Sequence, residues 1–186
     1  MEGHEIGRAT TRSRLHRGLG LIPPDRHRMG VVLELSVADN LVLDDYDRPP
    51  FARWLVRQFS AIREYAERLI KTFDIRVQNP EQPVSSLSGG NQQKLVVARQ
   101  LGTLPKVLIA SQPTRGVDVG SIEFIHRQIV SERDRGLAVL LVSSELDEVL
   151  SLADRVAVIY RGHIVAVIDA KDADRERVGL LMAGAA

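Results

Sequence analysis

The chain has 186 residues, 44% hydrophobic and 26% charged, the usage of a soluble globular domain long enough to bury a core. Its formal net charge of +1 gives no global pull towards nucleic acid or anionic lipid, and zero cysteines exclude disulfides and thiolate metal sites. No apolar run approaches the ~20 residues that span a bilayer, and the start MEGHEIGRATT has no signal-peptide core, so any membrane association is expected through a partner protein.

Residues 1–18 are polar and arginine-bearing, with Thr10 and Thr11 placed to cap a short helix. GLGLIP, from Gly18 to Pro23, reads as a short apolar strand stopped by Pro23-Pro24. SVADNLVL opens a helical region. After Pro49-Pro50, Leu55, Phe59, Ile62, Ala66 and Leu69 recur at steps of four and three, which predicts one amphipathic helix. It ends before NPEQPVSS, a loop punctuated by Pro80 and Pro83. A further helix is predicted from the Ser-Gly-Gly turn at 88–90 to about Gly102. Lys106–Ala110 and Leu137–Val142 are apolar runs of buried-strand type. Between them a helix is expected from about Gly120, with Ile122, Ile125 and Ile129 on one face. Ser144 and Asp147 suggest a capping box for a helix over 145–152. RVAVIY-RG-HIVAVI reads as a hairpin turning at Arg161-Gly162. Apolar strands alternating with helices predict an α/β fold with a parallel sheet and a helical lobe inserted between residues 31 and 83.

The stretch SSLSGGNQQKLVVARQL, Ser85 to Leu101, carries the most specific signal. A helix N-terminus presents unpaired N–H groups and the positive end of the helix dipole, so it suits an anion. Glycines at 89 and 90 clear the backbone of Cβ atoms, and the Ser88 hydroxyl adds a donor. A lone Ser-Gly-Gly more often does no more than cap a helix.

The wider context resembles the ATP-binding-cassette (ABC) ATPases. Leu87-Ser88-Gly89-Gly90-Asn91-Gln92-Gln93 looks like their signature motif, and Val107–Ala110 followed by Gln112-Pro113-Thr114 looks like the Walker B strand and its exit. Gly116-Val117-Asp118 looks like the D-loop, and Val142-Ser143-Ser144-Glu145 stands at the switch-loop position. IPPDRHRMG, LSGGNQQK and QPTRGVDVGSIEFI are similar to the second cassette of simple-sugar and nucleoside importers, and the last leans towards the nucleoside branch. The resemblance covers about residues 7 to 184. It implies a partial P-loop NTPase core with parallel strands flanked by helices, an inserted helical signature subdomain and a C-terminal β-hairpin. The expected division is 1–30 for the remnant of the core, with a Q-loop-like segment. Residues 31–87 form the helical subdomain, and 88–186 run from the signature helix to the C-terminal hairpin.

In that family two cassettes close face to face, so Ser88, Gly89, Gly90, Asn91 and Gln92 are expected to contact ATP held by a second cassette. Gly116, Val117 and Asp118 would form the D-loop. No glycine here is followed by lysine, so the phosphate loop G-x-x-x-x-G-K-[ST] is absent. The chain is therefore expected to be the C-terminal portion of a cassette and to be inactive alone. Where the family pattern has an Asp-Glu pair stand Ser111 and Gln112, Ser144 replaces the switch histidine, and Pro24 occupies the Q-loop place. A glutamine cannot accept the proton a glutamate can, so no catalytic residue is expected intact. ATP and Mg²⁺ are expected to be held mainly by the partner cassette, with no metal on this chain alone. Expected partners are that cassette, transmembrane permease subunits and, indirectly, a substrate-binding protein. Nucleic acid is not expected. The implied location is cytoplasmic, peripheral on the inner face of the membrane through the permease.

Other readings carry less. Arg8, Arg12, Arg14 and Arg17 read as a solvated helix face rather than a nucleic-acid arm. Trp54, Phe51 and Phe59 are expected to pack the lobe rather than stack bases. The histidines are scattered, and Asp44, Asp45 and Asp47 read as a solvated turn before Pro49. Two alternatives stay open: an inactive remnant or interaction module with an uncovered sheet edge or face, and a non-transport ABC protein acting on nucleic acid or ribosomes.

Overall fold

The computed structural model describes residues 3 and 5–184; Met1, Glu2 and His4 of the opening stretch, and the last two residues, lie outside the described residues. The chain forms two compact units that divide between Leu140 and Leu141.

The first unit is built on a parallel pair of strands. Helix α1 (Thr11–His16) starts where expected, with Thr10 Oγ1 accepting from the Ser13 N–H at 3.2 Å. It leads into β1 (Leu19–Ile22), which pairs in parallel with β4 (Val107–Ser111), Leu19 opposite Val107 and Ile22 opposite Ala110. Strand β5 (Ala138–Val142), within which the division between the units falls, completes the order β1-β4-β5. Ile22, Leu108 and Ala110 are fully buried on the side where α4 (Gly89–Gly102) packs against β1. The alternate residues Leu19, Leu21, Val107 and Ile109 face the other way and stay half-buried or exposed. Both apolar runs were expected to be buried throughout. Instead the structure covers alternate residues, and Leu140 and Val142 of β5 are exposed.

Between β1 and β4 lies a helical lobe whose interior is closed. Ser36 caps α2 (Val37–Leu41) by accepting from the Asp39 N–H at 2.9 Å. Val37, Leu41 and Val42 pack with Ile62, Ala66 and Leu69 of α3 (Phe59–Thr72), Val84, and Leu95 to Ala98 of α4 in the buried core. Asn40 is fully buried and satisfied: its amide donates to the Val32 and Ser36 carbonyls and accepts from the Val32 N–H.

The helix expected from Leu55 begins only at Phe59. Residues 52–57 form a small hairpin, β2 (Ala52–Arg53) against β3 (Val56–Arg57), with Trp54 and Leu55 as its two turn residues. Consequently Leu55 does not join the apolar stripe, and Trp54 and Phe59 do not pack the lobe; all three are solvent-exposed. Only Phe51 packs inward, edge-on to Tyr65 at 4.8 Å. The period of four that Leu55 shares with Phe59 is accidental, because the tight turn reverses the chain between them.

The second unit is a small α/β layer. The hairpin β6 (Arg155–Tyr160) and β7 (His163–Asp169) turns at Arg161-Gly162, both with positive φ (48° and 82°), as a two-residue hairpin loop requires. Val156, Val158 and Ile168 form a core with Ala173 and with Val178 of α7 (Arg175–Ala183), flanked by Leu146 and Leu150 of α6 (Leu146–Leu152). The expected N-cap was Ser144, for a helix over 145–152. The helix begins one residue later, its N-cap is Glu145, and that residue makes no side-chain cap bond.

Candidate functional site

Helix α4 begins at Gly89, with Ser88 as N-cap; the Ser88 hydroxyl accepts from the Asn91 N–H at 3.4 Å and from its side-chain amide at 3.0 Å. Ser88 is exposed, Gly89 and Asn91 are half-buried, and Gly90 and Gln92 are buried. The sequence suggested that both glycines were cleared for a phosphate. In the structure the clearance is already taken up by the chain itself. A Cβ on Gly90 would lie 2.4 Å from Ser121 Oγ and 2.6 Å from Asp118 Oδ2. A Cβ on Gly89 would lie 2.9 Å from an Arg26 guanidinium nitrogen.

The polar side chains that follow are engaged internally. Gln92 donates to the carbonyls of Leu87 (3.2 Å) and Val84 (3.3 Å), and its Oε1 lies 2.9 Å from His27 Nε2. Gln93 donates to the Pro113 carbonyl at 2.7 Å. Asn91 Oδ1 accepts from the Arg76 N–H at 2.8 Å. Lys94, buried at 7% exposure, donates to the carbonyl and a carboxylate oxygen of Asp74 and lies 4.5 Å over the Phe124 ring. That donated hydrogen bond, with the Lys94 charge, holds the Asp74 carboxyl below the usual carboxylate range.

Arg26 is the residue that sequence reading missed. It opens a single π-helical turn (Arg26–Gly30), closed by the Val31 N–H on the Arg26 carbonyl at 2.8 Å and capped by Asp25. Its guanidinium donates to the carbonyls of Arg115 (3.0 Å) and Gly116 (3.4 Å), the latter at a residue with φ +67°. Arg26 and Gln93 thus hold the 113–116 loop against the start of α4. In the sequence its only signal is a basic residue immediately after an Asp that can cap a turn. Asp118 then caps α5 (Val119–Asp134) through the Ser121 N–H (3.0 Å) and hydroxyl (2.8 Å). Those two bonds keep its carboxyl below its ordinary range.

Deeper in α4, Arg99 is buried and ties three segments together. It donates to the carbonyls of Gly30 (2.7 Å) and Asn40 (3.3 Å), and its Nε pairs with Asp44 Oδ2 at 3.1 Å. Burial pulls its pKa below the ordinary arginine value, and Asp44 opposes that shift. The neighbouring Gln100 donates to Asp44 at 2.6 Å and accepts from the Leu21 N–H of β1 at 2.8 Å. Asp44 was expected in a solvated turn; it is instead an internal acceptor for α4.

Of the remaining expected positions, Ser111 ends β4 and Gln112 follows it with φ +51°. Pro24 lies beyond the end of the parallel partner β1, so these three share the carboxyl edge of the sheet. Ser144 belongs to the second compact unit and is exposed. Among the described residues no three His, Asp or Glu side chains cluster as metal ligands.

A protein-family model described as ABC transporter matches residues 1–115. The chain belongs to the ABC transporter family. Its relatives include the nucleoside import ATP-binding protein NupA of Lactococcus lactis, 41% identical over 99% of this chain and 36% of that protein. The guanosine import ATP-binding protein NupO of Bacillus subtilis is also 41% identical, with the same coverage. The ribose import protein RbsA of Bacillus licheniformis is 37% identical over 99% of the chain and 37% of its own length. The chain therefore spans about a third of the length of these curated relatives. Among solved structures, a nucleotide-free ATP-binding cassette from an ABC transporter superposes with a TM-score of 0.73 at 21% identity, covering 97% of this chain and 71% of that one. A dimeric post-hydrolysis cassette bound to ADP and phosphate gives 0.70 at 19% identity, over 85% and 66%. These establish the fold: an ABC-type P-loop NTPase core with parallel strands flanked by helices, together with a β-hairpin.

ATP with Mg²⁺ is the nucleotide this family uses. The residues at the carboxyl edge of the sheet do not fit it as a ligand of this chain alone. Ser111 and Gln112 offer no carboxylate for the ion, and no lysine follows a glycine to neutralise phosphates.

Proposed function

We propose that this chain serves in the ATP-binding component of an importer for nucleosides or simple sugars, and that it presents its α4 N-terminus to ATP held by a second cassette. One observation carries the reading. The start of α4 is exposed at Ser88 while the residues behind it are fixed by internal bonds from Arg26, Gln92 and Gln93. A rigid helix end with free N–H groups stabilises an anion without needing to reorganise when the anion arrives. In this arrangement Ser88, Gly89 and Asn91 face the partner's γ-phosphate, whereas Gly90 and Gln92 support them from within. Residues 116–118 form the D-loop beside them. The chain's own hydrolytic positions, Pro24, Ser111, Gln112 and Ser144, provide neither a base nor metal ligands. Permease subunits, reached through the helical lobe, would place the assembly at the inner face of the membrane.

The test is phosphate release. The isolated chain is expected to show no ATP turnover above background, and appreciable turnover would overturn the claim that its own site is degenerate. Joined to a cassette that carries a phosphate loop, it should support hydrolysis that Ser88→Arg abolishes. Hydrolysis unaffected by that substitution would remove the role given to the helix end. The exposed Leu21 and Leu140 favour a second reading, an interaction module with no part in hydrolysis, and that assembly would then turn over ATP equally well without this chain.

A further inference from the structure

Although the whole chain is nearly neutral, the sixteen residues from Arg48 to Arg63 contain four arginines and no acidic residue. The β2–β3 hairpin lies at the centre of this segment. Its two turn residues are the most exposed large apolar side chains described, Trp54 at 97% and Leu55 at 100% exposure, and Val56 and Phe59 continue the apolar surface. Trp54 also holds φ +55°, a left-handed conformation that turns ordinarily give to Gly, Asn or Asp and that is costly for a bulky side chain. A tryptophan kept there, pointing into water, serves nothing inside the fold.

One arginine of the tip itself is left to meet an anionic surface. Arg53 is exposed and makes no ion pair among those described. Arg57 pairs with Asp39 and lies 5.2 Å over the Phe59 ring, while Arg48 pairs with Asp45 and Arg63 with Glu67, further from the tip. The tip is also too small for a stable protein contact. Trp54 offers ~150–250 Å². With Leu55, Val56 and Phe59 the apolar tip is four side chains, against the ~20–30 residues a side of a standard protein interface. A bilayer asks only for depth of insertion, with an aromatic ring at the headgroup level and a cation beside it.

We propose that the β2–β3 hairpin is a membrane-surface anchor, in which Trp54 and Leu55 enter the interfacial layer of an anionic bilayer and Arg53 meets the lipid phosphates. The anchor is independent of ATP and of the signature helix. It would give the chain a direct, weak and salt-sensitive contact with the membrane, in addition to any contact through a partner protein.

Trp54 is the sole tryptophan of the sequence, so its emission reports the tip alone. The full chain is titrated with phosphatidylcholine vesicles with and without phosphatidylserine, following Trp54 emission and co-sedimentation. A blue shift and sedimentation with the phosphatidylserine vesicles are expected. Leu55→Ser should weaken that binding at least about tenfold, given the area it buries. Arg53→Ser should weaken it about fivefold. Both positions are exposed, and thermal unfolding followed by circular dichroism checks that each variant keeps its fold. No shift and no sedimentation would overturn the proposal, as would equal binding to neutral vesicles or binding unchanged in both variants. Emission already shifted to the blue before lipid is added would also overturn it, because the tip would then be covered by a second copy of the chain. None of these outcomes bears on phosphate release.

Discussion

Helix α4 and the three-stranded sheet meet at Ile22, Leu108 and Ala110, yet they are completed to different degrees. Every long polar side chain of α4 from Gln92 to Gln100 finds an internal partner, and the apolar residues between them are buried. The sheet has one row of side chains under α4 and another row, with Leu21 and Leu140, open to solvent. The lobe and its helix are therefore held by their own contacts. The sheet is held on one side only, and its free face is the part of the unit that stands to gain most from being covered. In this chain, precision lies in the helix end and adhesiveness in the strands.

The comparison would break first at Arg99. Arg99→Met removes the cation beside Asp44, which keeps only Gln100, and takes the side-chain donor from the Gly30 carbonyl, and urea unfolding should show a loss of ~3–5 kcal/mol. A loss below ~1 kcal/mol would mean that α4 is not the fixed element described. Gly90→Ala should follow at ~1–3 kcal/mol, since its Cβ would collide with Ser121 and Asp118. Adding Ser121→Ala should recover part of that loss in a double-mutant cycle, and full additivity would argue against the contact.

Acid should act on the same helix region. Asp74 and Asp118 both titrate below their ordinary values, so their contributions are complete above the unfolded carboxylate pKa of ~3.9 and fade as pH falls through the lower folded values. Stability measured against pH should fall below about pH 4, and Asp118→Asn, which still caps α5, should flatten part of that fall. At the open face the effect should be smallest. Leu140→Ser or Leu21→Ser should change stability by no more than about 0.5 kcal/mol while reducing any concentration-dependent association seen by light scattering. A large loss of stability there would show that the face is already covered.

What the sequence revealed, it revealed through local chemistry. Thr10 capping α1, the start of α4 at Gly89 and the turn at Arg161-Gly162 each depend on a few neighbouring residues, and each stands where expected. The parallel pairing of β1 with β4 followed from apolar runs separated by a helical lobe. Partners distant in the chain were hidden. The two glycines could not say whether a phosphate or Asp118, Ser121 and Arg26 filled their clearance, because both need the same missing Cβ. A continuous apolar run does not distinguish a strand covered on both faces from one covered on one, so Leu140 was expected inside. The β2–β3 hairpin escaped because Trp54 and Leu55 carry no turn signature of Gly, Asn or Asp.

The register of β1 on β4 has a consequence for how the chain finds its structure. Leu19 faces Val107 across nearly ninety residues of intervening chain, a separation whose closure is slow if that chain is still a coil. Most of that span is the lobe, whose contacts are nearer in sequence and whose ends are drawn together once it is compact. Folding of the lobe thus shortens the effective loop before the strands pair, and Arg99 and Gln100, which reach back to Gly30 and Leu21, close the last gap. An insertion between two strands of one sheet here hastens their meeting.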